Sequence, residues 1–290
     1  MEIIRTVEWM KQEARAAAEA RRVVGLVPTM GALHEGHASL VRAARAQCAP
    51  VVVSIFVNPK QFGAGEDFDK YPRRLEADGE FLSPLGVDYI FAPPAEEMYP
   101  HGFCSSVSVE GLSERLEGRS RPGHFRGVTT VVLKLLEIVR PQLAYFGRKD
   151  AQQARVIRQM AADLNLDSGF VVCPIVREAN GLAISSRNAY LNENERRAAT
   201  VLYRALEAAK REIARGERDA ARLLETIRGM MKEEPLVRLD YAELVDSETF
   251  EPVARLPKSC MLLLAAFVGK TRLIDNALIE EVADSLRVTI

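Results

Sequence analysis

The sequence predicts an α/β fold in which a doubly wound parallel sheet is followed by a smaller α+β domain. Strand-like runs in the first part of the chain, such as "PVVVSIFVNP", are apolar without polar alternation, which is typical of strands covered on both faces. These runs alternate with segments of helical periodicity, as expected for βαβ units. From about Arg177 onward, long helices rich in Ala, Arg and Glu come first and strands follow. We therefore predict a first domain at 1–176 and a second at 177–290.

The spacing of apolar residues predicts the elements in order. An amphipathic helix at 8–22 comes first, because apolar side chains recur there at helical spacing. Further helices of the first domain are predicted at 37–48, 71–86, 128–141 and 149–166, and its strands at 22–28, 50–59, 87–93, 142–147 and 169–176. For the second domain the pattern predicts helices at 192–216 and 219–234, strands within 236–253 and 259–275, and a short acidic helical tail at 277–290.

The composition excludes several classes of protein. With 39 basic and 40 acidic residues among 290, the net charge of −1 gives no sign of a nucleic-acid or membrane surface. The four cysteines lie far apart without a CxxC pair, which favours buried reduced thiols over disulfides or structural zinc. The N-terminus lacks an apolar signal core, and the run "CMLLLAAFVG" is too short to span a bilayer. We therefore expect a cytoplasmic protein.

The stretch "PTMGALHEGHASL", at 28–40, places two histidines three residues apart after the first long strand. Ligands of open α/β sheets bind at the carboxyl ends of strands, often against the N-terminus of the next helix. Free N–H groups and the helix dipole make such a place attractive to phosphate. His34 and His37 would lie on one helical face and reach the same phosphate group.

Two other interpretations of the histidine pair stay open from this stretch alone. One is a zinc site, although "HEGH" is one residue shorter than the H-E-x-x-H spacing and no third ligand is nearby in sequence. The other is a pair of surface histidines that cap a helix. Neither a G-x-G-x-x-G fingerprint nor a P-loop is present in the stretch.

Two more polar loops favour a phosphate ligand. "GLAISSRNAY" offers the hydroxyls of Ser185 and Ser186 beside the cation of Arg187, and such donors suit triphosphate oxygens. "YFGRKDAQQAR" places Lys149 and Asp150 at the carboxyl end of another predicted strand, although taken alone these two are more typical of a solvated loop pair than of a site. The sequence therefore predicts three polar loops at the same end of the sheet.

Six motifs occur together in one order: "PTMGALHEGH", "FVNPKQF", "YPR", "RPGHFRGV", "FGRKDAQQ" and "AISSRN". In this set, over residues 1 to about 275 of the chain, the sequence resembles the pantoate–β-alanine ligases, also called pantothenate synthetases. The H-x-G-H pair alone points only to the broader HxGH nucleotidyltransferase superfamily. The resemblance implies a Rossmann-like catalytic domain at 1–176, which binds ATP and pantoate, and a smaller lid domain at 177–290.

The resemblance implies an enzyme of pantothenate biosynthesis, on the pathway to coenzyme A. Such an enzyme condenses pantoate with β-alanine at the expense of ATP, through a bound pantoyl adenylate, and releases AMP and pyrophosphate. ATP is then a substrate handled with Mg²⁺, and no tightly bound organic cofactor is expected. The expected partners are the small-molecule substrates and a second copy of the chain in a homodimer, with neither nucleic acid nor membrane.

The resemblance also assigns roles to individual residues. The catalytic residues it implies are His37, His34, Lys149 and Arg187. The ATP-binding residues it implies are Met30, Gly31, Ala32, Leu33, His34, Glu35, Gly36, His37, Gly147, Arg148, Lys149, Asp150, Val176, Ile184, Ser185, Ser186 and Arg187. The residues it implies for pantoate or β-alanine are Gln61, Gln153, Asn58 and Arg121.

At a few of these positions the residue departs from the family pattern or has another plausible structural role. Ile184 stands where family members usually have methionine, and Arg148 occupies a variable position that is expected to face water. Taken alone, Asn58 is more typical of a turn residue before a proline, and Arg121 is otherwise an exposed loop arginine. Tyr71 of "YPR" is a weaker match that would line the pocket, and Asp78 is a candidate Mg²⁺ contact.

Three other functions compete with this interpretation. The first is a nucleotidyltransferase that acts on a phosphorylated acceptor and would need more cations where "NPKQF" supplies amides. The second is a nucleotide-binding regulatory module without turnover, and the third is a zinc hydrolase.

Overall fold

In a computed structural model of the chain, residues 1–63, 65–283 and 285–290 are described. The chain divides into two compact units. The first comprises Met1–Arg148 and Gln152–Pro174, and the second comprises Lys149–Ala151 and Ile175–Ile290.

The first unit contains the predicted doubly wound parallel sheet. Its strands are β1 (Glu2–Ile4), β2 (Gly25–Thr29), β3 (Val51–Ile55), β4 (Tyr89–Phe91), β5 (Leu143–Gly147) and β6 (Gly169–Cys173). They pair in parallel in the order β1-β4-β3-β2-β5-β6. The chain winds outward in one direction from β2 through β3 and in the other through β5, so the strand order reverses between β2 and β5. The predicted fold class is confirmed.

Helices cover both faces of this sheet. They are α1 (Val7–Glu19), α2 (Glu35–Arg45), α3 (Leu75–Leu82), α4 (Ala95–Met98), α5 (Glu117–Ser120), α6 (His124–Val139) and α7 (Ala151–Asp163), with 3₁₀ turns at Pro59–Gln61, Ser83–Leu85 and Arg148–Asp150. Alternate residues of each strand enter two different apolar clusters. In β3, Val52 packs with residues of α1 and α6, whereas Val51 and Val53 pack with residues of α2. This arrangement explains why the strands have no polar face.

Three local features of the first unit differ from the sequence analysis. The short edge strand β1 was not predicted, because three residues are too few to show a period. Helix α6 begins at His124, four residues before the predicted start, so this histidine is helical and not in a loop. Cys104 is exposed, whereas Cys48, Cys173 and Cys260 are the buried thiols that were expected.

The second unit packs helices against an antiparallel sheet. The helices are α8 (Glu193–Ala199), α9 (Val201–Ala214) and α10 (Ala220–Lys232), and the strands are β7 (Val237–Asp246), β8 (Ser259–Val268), β9 (Thr271–Val282) and β10 (Ser285–Thr289), in the order β10-β9-β8-β7. The single helix predicted at 192–216 is instead two helices that meet at Thr200. Among the described residues, no helix combines the length and the apolar character that a bilayer span requires.

The predicted helical tail was also wrong. β9 continues to Val282, and β10 pairs with it in antiparallel register. Asp284, within the predicted helix, lies outside the described residues. Leu286 and Val288, two positions apart, both pack against the core of the second unit. The alternation that a strand needs was present, but a period of two is hard to recognise in so short a segment.

Two helical glycines offer a test of packing. A Cβ on Gly127 of α6 would lie 2.1 Å from the carbonyl oxygen of Lys60, whereas a Cβ on the exposed Gly229 of α10 would meet nothing within 4 Å. We expect Gly127→Ala to lower the free energy of unfolding by roughly 1–3 kcal/mol or more, because a backbone atom must move. Gly229→Ala should raise it by up to about 1 kcal/mol through helix propensity. Thermal and denaturant unfolding of both variants measure this, and a neutral Gly127→Ala would contradict the close approach.

Candidate active site

The carboxyl ends of three neighbouring strands place polar loops at one edge of the first sheet. β3, β2 and β5 are adjacent and parallel, so the segments that follow them begin on the same side. Residues 30–37 follow β2, residues 56–62 follow β3, and Arg148 follows β5. This is the edge at which open α/β sheets bind ligands.

A buried carboxylate shapes the loop after β2. Asp78 of α3 is 4% exposed; its Oδ1 accepts from the backbone N–H of Leu33 at 2.8 Å, and its Oδ2 accepts from that of Ala32 at 3.1 Å. Gly31 passes so close that a Cβ there would lie 2.9 Å from Oδ2, and its φ of +84° also favours glycine. Asp78 therefore holds the loop in shape. Sequence reasoning missed this role, because nothing local links α3 to a loop some 45 residues earlier.

The two histidines stand together at the start of α2. His34 is the N-cap residue and His37 the third helical residue, and their ring centroids are 4.1 Å apart. The backbone N–H of His34 donates to Nδ1 of His37 at 3.3 Å. Since that nitrogen accepts, a neutral His37 carries its proton on Nε2. Glu35, between them in sequence, turns to the exposed side and pairs with Arg42.

The loop after β3 is a 3₁₀ turn fixed by a buried amide. Asn58 is 1% exposed; its Nδ2 donates to Oε1 of Gln61 at 3.0 Å and to the carbonyl of Gly127 at 3.1 Å. Its Oδ1 accepts from the hydroxyl of Tyr99 at 2.7 Å and from the N–H of Lys60 at 3.2 Å. Burial raises the pKa of Tyr99, which keeps this hydroxyl protonated as a donor. Asn58 thus orients Gln61 and also has the turn role that was left open.

Gln61 reaches from this turn to the loop after β2. Its Nε2 lies 3.0 Å from Sδ of Met30, and a thioether is only a weak acceptor. Tyr71 is buried, with its ring edge-on to Phe62 at 6.0 Å. Gln153 lies half-buried on α7, next to the buried Gln152, whose side chain bonds to the backbone of residues 112–117.

Arg121, which the resemblance assigns to substrate, is not an exposed loop arginine but is held on both sides. Nε and Nη2 of Arg121 donate to the two carboxylate oxygens of Glu66, each at 2.7 Å, and its Nη1 lies 3.1 Å from Nε2 of His124. Burial acts to raise the pKa of Glu66, but the hydrogen bond and charge of Arg121 lower it below its ordinary value. Burial, together with the charge of Arg121, lowers the pKa of His124 to about 4.

In the second unit, the lysine and serine predicted to bind phosphate line one small pocket. Lys149 and Ser185 share it with Asn188 and Asp275. The backbone carbonyl of Lys149 accepts from Nδ2 of Asn276 at 3.0 Å. Nζ of Lys149 lies 3.8 Å from Oδ1 of Asp150, a loose ion pair that leaves the ammonium able to meet another anion.

The serine loop of the second unit is anchored by its own bonds. The N–H of Ile184 donates to the carbonyl of Val176 at 3.0 Å. Oγ of Ser185 accepts from the N–H of Arg187 at 3.3 Å, which caps the 3₁₀ helix Ser186–Tyr190. These contacts anchor residues 184–187, which are four consecutive predicted ATP-binding residues.

A buried ion pair behind this loop was not predicted. Arg177 donates to both oxygens of Asp275, at 2.7 and 2.8 Å, and also to the carbonyl of Gly181 at 3.0 Å. The φ of Gly181 is +89°, and a Cβ there would lie 2.0 Å from the ring of Tyr203. The sequence offered one indication of this pair, an arginine at the predicted domain boundary. It did not indicate the partner, which lies almost a hundred residues later.

The residues that the structure describes contain no group of three or more His, Cys, Asp or Glu side chains arranged to hold a metal ion. Asp78, the candidate Mg²⁺ contact, has both oxygens engaged by loop amides. The donor set therefore does not fit a protein-held metal at this position.

The fold and the histidine pair together define a class of protein. A doubly wound parallel sheet whose central strand leads into a His-x-Gly-His helix start is the arrangement of the HxGH nucleotidyltransferase superfamily.

Comparison of the sequence with known proteins identifies the family within this superfamily. A family model for pantoate-beta-alanine ligase matches residues 2–278. The pantothenate synthetase of Heliobacterium modesticaldum is 55% identical over 280 residues, which is 97% of this chain and 100% of that protein.

Solved structures agree with this match. The pantothenate synthetase of Thermus thermophilus superposes with a TM-score of 0.90 at 46% identity, covering 95% of this chain and 98% of that one. The pantoate-β-alanine ligase of Francisella tularensis, solved with Beta-gamma ATP and β-alanine, gives 0.77 at 35% identity, covering 95% and 97%. The chain belongs to the pantoate–β-alanine ligase family, as its motifs indicated, and it is an enzyme that joins pantoate to β-alanine.

The role of Asp78 in holding the loop after β2 can be tested by replacing its carboxylate with an uncharged amide of the same shape. In Asp78→Asn an amide N–H₂ would face backbone N–H groups, so we expect the free energy of unfolding to fall by about 2–3 kcal/mol. Amide hydrogen exchange at Ala32 and Leu33 should accelerate. Glu76→Gln, an exposed change on the same helical turn, is the control and should cost less than about 0.5 kcal/mol. Unchanged exchange at both amides would show that Asp78 does not hold the loop.

The buried histidine predicts how stability depends on pH. The ordinary pKa of His124 is 6.5 and its value in the folded chain is about 4, so between these values the unfolded chain binds more protons and stability falls as pH falls. We expect a loss on the order of 3 kcal/mol across this window, since one pH unit corresponds to about 1.4 kcal/mol. The lowered pKa of Glu66 extends the loss below pH 4.5.

Denaturant unfolding from pH 7 to pH 4 measures this effect. His124→Gln should flatten the slope between pH 6.5 and 4, whereas His101→Gln, a change at an exposed histidine, should leave it unaltered. Identical slopes in the wild type and both variants would contradict a buried neutral His124.

Proposed function

We propose that the chain carries out ATP-dependent ligation in two steps, through an enzyme-bound pantoyl adenylate. In the first step a carboxylate oxygen of pantoate attacks the α-phosphorus of ATP, and the bond to the bridging oxygen breaks, releasing pyrophosphate. In the second step the amine of β-alanine attacks the activated carbonyl, forms the amide, loses a proton and expels AMP. A carboxylate is a poor acyl donor because its leaving group would be oxide, and adenylation supplies a better one. The observation that carries this proposal is the pair of imidazoles at the N-terminus of α2.

The phosphates are the expected ligand of this helix start. The N-terminal N–H groups and the dipole of α2 favour an anion, and the protonated Nε2 of His37 would add a donor. Because phosphoryl-type transfer depends mostly on positioning and electrostatics, we assign His34 and His37 to stabilising charge on the α-phosphate. Lys149 and Arg187 would neutralise phosphate oxygens, with Ser185 and Ser186 as hydroxyl donors. The remaining ATP contacts implied by the resemblance, at residues 30–36, 147–150, 176 and 184, belong to this proposal.

The amides of the first unit suit pantoate. Gln61 Nε2 now faces a weak thioether acceptor, so exchange for a carboxylate or hydroxyl oxygen would be favourable. We assign Gln61 and Gln153 to pantoate, with Asn58 as the group that orients Gln61. Amides bind hydroxyl and carboxylate groups without adding a competing charge. Arg121, expected to bind substrate, donates to Glu66 and also contacts His124, and its contact with substrate stays a prediction.

The wider assignments complete the proposal. Mg²⁺ enters only as the ion that accompanies the triphosphate, because the described residues do not offer it a cage. The catalytic role of domain 1–176, the lid role of domain 177–290, the homodimer and the cytoplasmic location stay predictions.

The overall reaction is tested with defined substrates. With ATP, pantoate and β-alanine we expect pantothenate and AMP in equal amounts. Labelled pyrophosphate should exchange into ATP only when pantoate is present, with β-alanine omitted. Exchange without pantoate would favour a different nucleotidyltransferase, and binding of ATP without turnover would favour a regulatory module.

The phosphate-binding cations should act on the first step. We expect Lys149→Ala and Arg187→Ala each to lower the rate of adenylation by roughly 100-fold, since each loses a charge-assisted bond to a developing anion. Both should consume supplied pantoyl adenylate at nearly the wild-type rate.

Rapid-quench measurement of each half-reaction separates the two effects. Arg197→Ala, which removes an arginine with a 72% exposed side chain, is the control for loss of a positive charge. Equal losses in both half-reactions would contradict the assignment of these cations to phosphate.

A further inference from the structure

His124 is a buried histidine with a defined contact on each ring nitrogen. It is 9% exposed at the start of α6, and it lies between the turn that carries Gln61 and the side chain of Arg121. Nδ1 is 2.9 Å from the carbonyl oxygen of Gln61, and Nε2 is 3.1 Å from Nη1 of Arg121. None of the chemistry assigned above uses this side chain.

The partners decide which nitrogen carries the proton. A carbonyl oxygen can only accept, so Nδ1 must be the donor toward Gln61. A guanidinium can only donate, so Nε2 must be the acceptor toward Arg121. His124 is therefore neutral, with its proton on Nδ1, which is the opposite tautomer to that of His37.

The charges around the ring keep it in this form. Arg121 touches the ring and disfavours a second proton, whereas the carboxylates of Glu66 and Glu117 act in the other direction. Burial is the largest contribution and also opposes the charge, so the imidazole stays neutral near pH 7. The Glu66 carboxylate is itself bound in both oxygens by Arg121, which reduces its pull on the ring.

We propose that His124 is a positioning residue that sets the place of Gln61 in the pantoate site. Its Nδ1–H fixes the backbone of Gln61, Asn58 fixes the side-chain amide, and Gly127 lets α6 approach within contact of the same turn. Arg121 and Glu66 complete the arrangement by fixing the tautomer of the ring. Arg121 accordingly acts on pantoate through His124 and Gln61.

This inference rests on the proposed pantoate site, and it predicts a pattern that simple loss of packing would not produce. Asparagine places an amide N–H₂ close to the position of Nδ1, whereas glutamine places its amide group near Nε2. His124→Asn should therefore keep the bond to the Gln61 carbonyl, and His124→Gln should lose it.

The test compares the KM values of the two variants for each substrate. We expect His124→Gln to raise the KM for pantoate by about tenfold, because a turn that is no longer held by Nδ1 must be ordered when pantoate binds. His124→Asn should raise it by less than about threefold, and the KM for ATP should change by less than about twofold in both. Equal effects of both variants on pantoate, or equal rises for pantoate and ATP, would overturn the proposal.

A second measurement does not depend on activity. The ¹⁵N spectrum of imidazole-labelled wild type should show His124 protonated at Nδ1 and unprotonated at Nε2 throughout the range from pH 6 to 8. A ring protonated at Nε2, or one that titrates in this range, would overturn the proposal even if the variants fail to fold. Failure of pantoate-dependent pyrophosphate exchange in the wild type would instead refute the proposed function and leave the tautomer to be judged by the spectrum.

Discussion

The parallel pairing of β3, β2 and β5 is the constraint on which the first unit depends. Because these neighbours run in the same direction, every loop that leaves a carboxyl end starts on the same side of the sheet. Residues separated by more than a hundred positions, such as His34 and Arg148, thereby follow adjacent strands. Helices cover both apolar faces of these strands, and this burial stabilises the sheet in which they pair.

The loops after β2 and β3 are then fixed by buried polar side chains, two of which come from elsewhere in the chain. Asp78 binds the amides of the loop after β2, Asn58 orients Gln61 after β3, and His124 binds the backbone of the same turn. A buried polar group is costly unless it is hydrogen-bonded, so each of these bonds is strongly favoured over its absence. The loops are consequently held in shape before any ligand binds, which is the condition for electrostatic stabilisation of a reacting phosphate.

The charge interactions of the chain also act over short distances, between individual side chains. A net charge of −1 gives no long-range field of either sign, yet Arg121 with Glu66 and Arg177 with Asp275 are charge pairs held largely away from water. Both pairs are bidentate, the geometry in which a guanidinium loses least entropy for each bond that it makes. Their function is to fix the segments around them, since each arginine also bonds to a neighbouring histidine or backbone carbonyl.

The fold class could be predicted from the sequence, whereas several short elements could not. Continuous apolar strands and helical periodicity were enough to predict the doubly wound sheet, because burial on both faces requires apolar residues along the whole of a strand. The tail after Asn276 was misread as helical, because β10 has only five residues and owes its form to pairing with β9. The helix start at His124 was missed as well, because glycine and proline precede it and its burial is set by a turn more than sixty residues earlier.

The sequence by itself determined the family, the strand-to-helix loops and the residue types that each loop presents, since these depend on neighbours within a few positions. Only the tertiary structure decided which atoms those residues bind. The carboxylate of Asp78 faces two amides, Arg121 is engaged by Glu66 and His124, and the two imidazoles His37 and His124 carry their protons on different nitrogens. These hydrogen-bond partners lie tens of residues apart in the sequence, so a local spacing pattern cannot predict them. Which groups pair depends on which buried polar groups must form hydrogen bonds with one another.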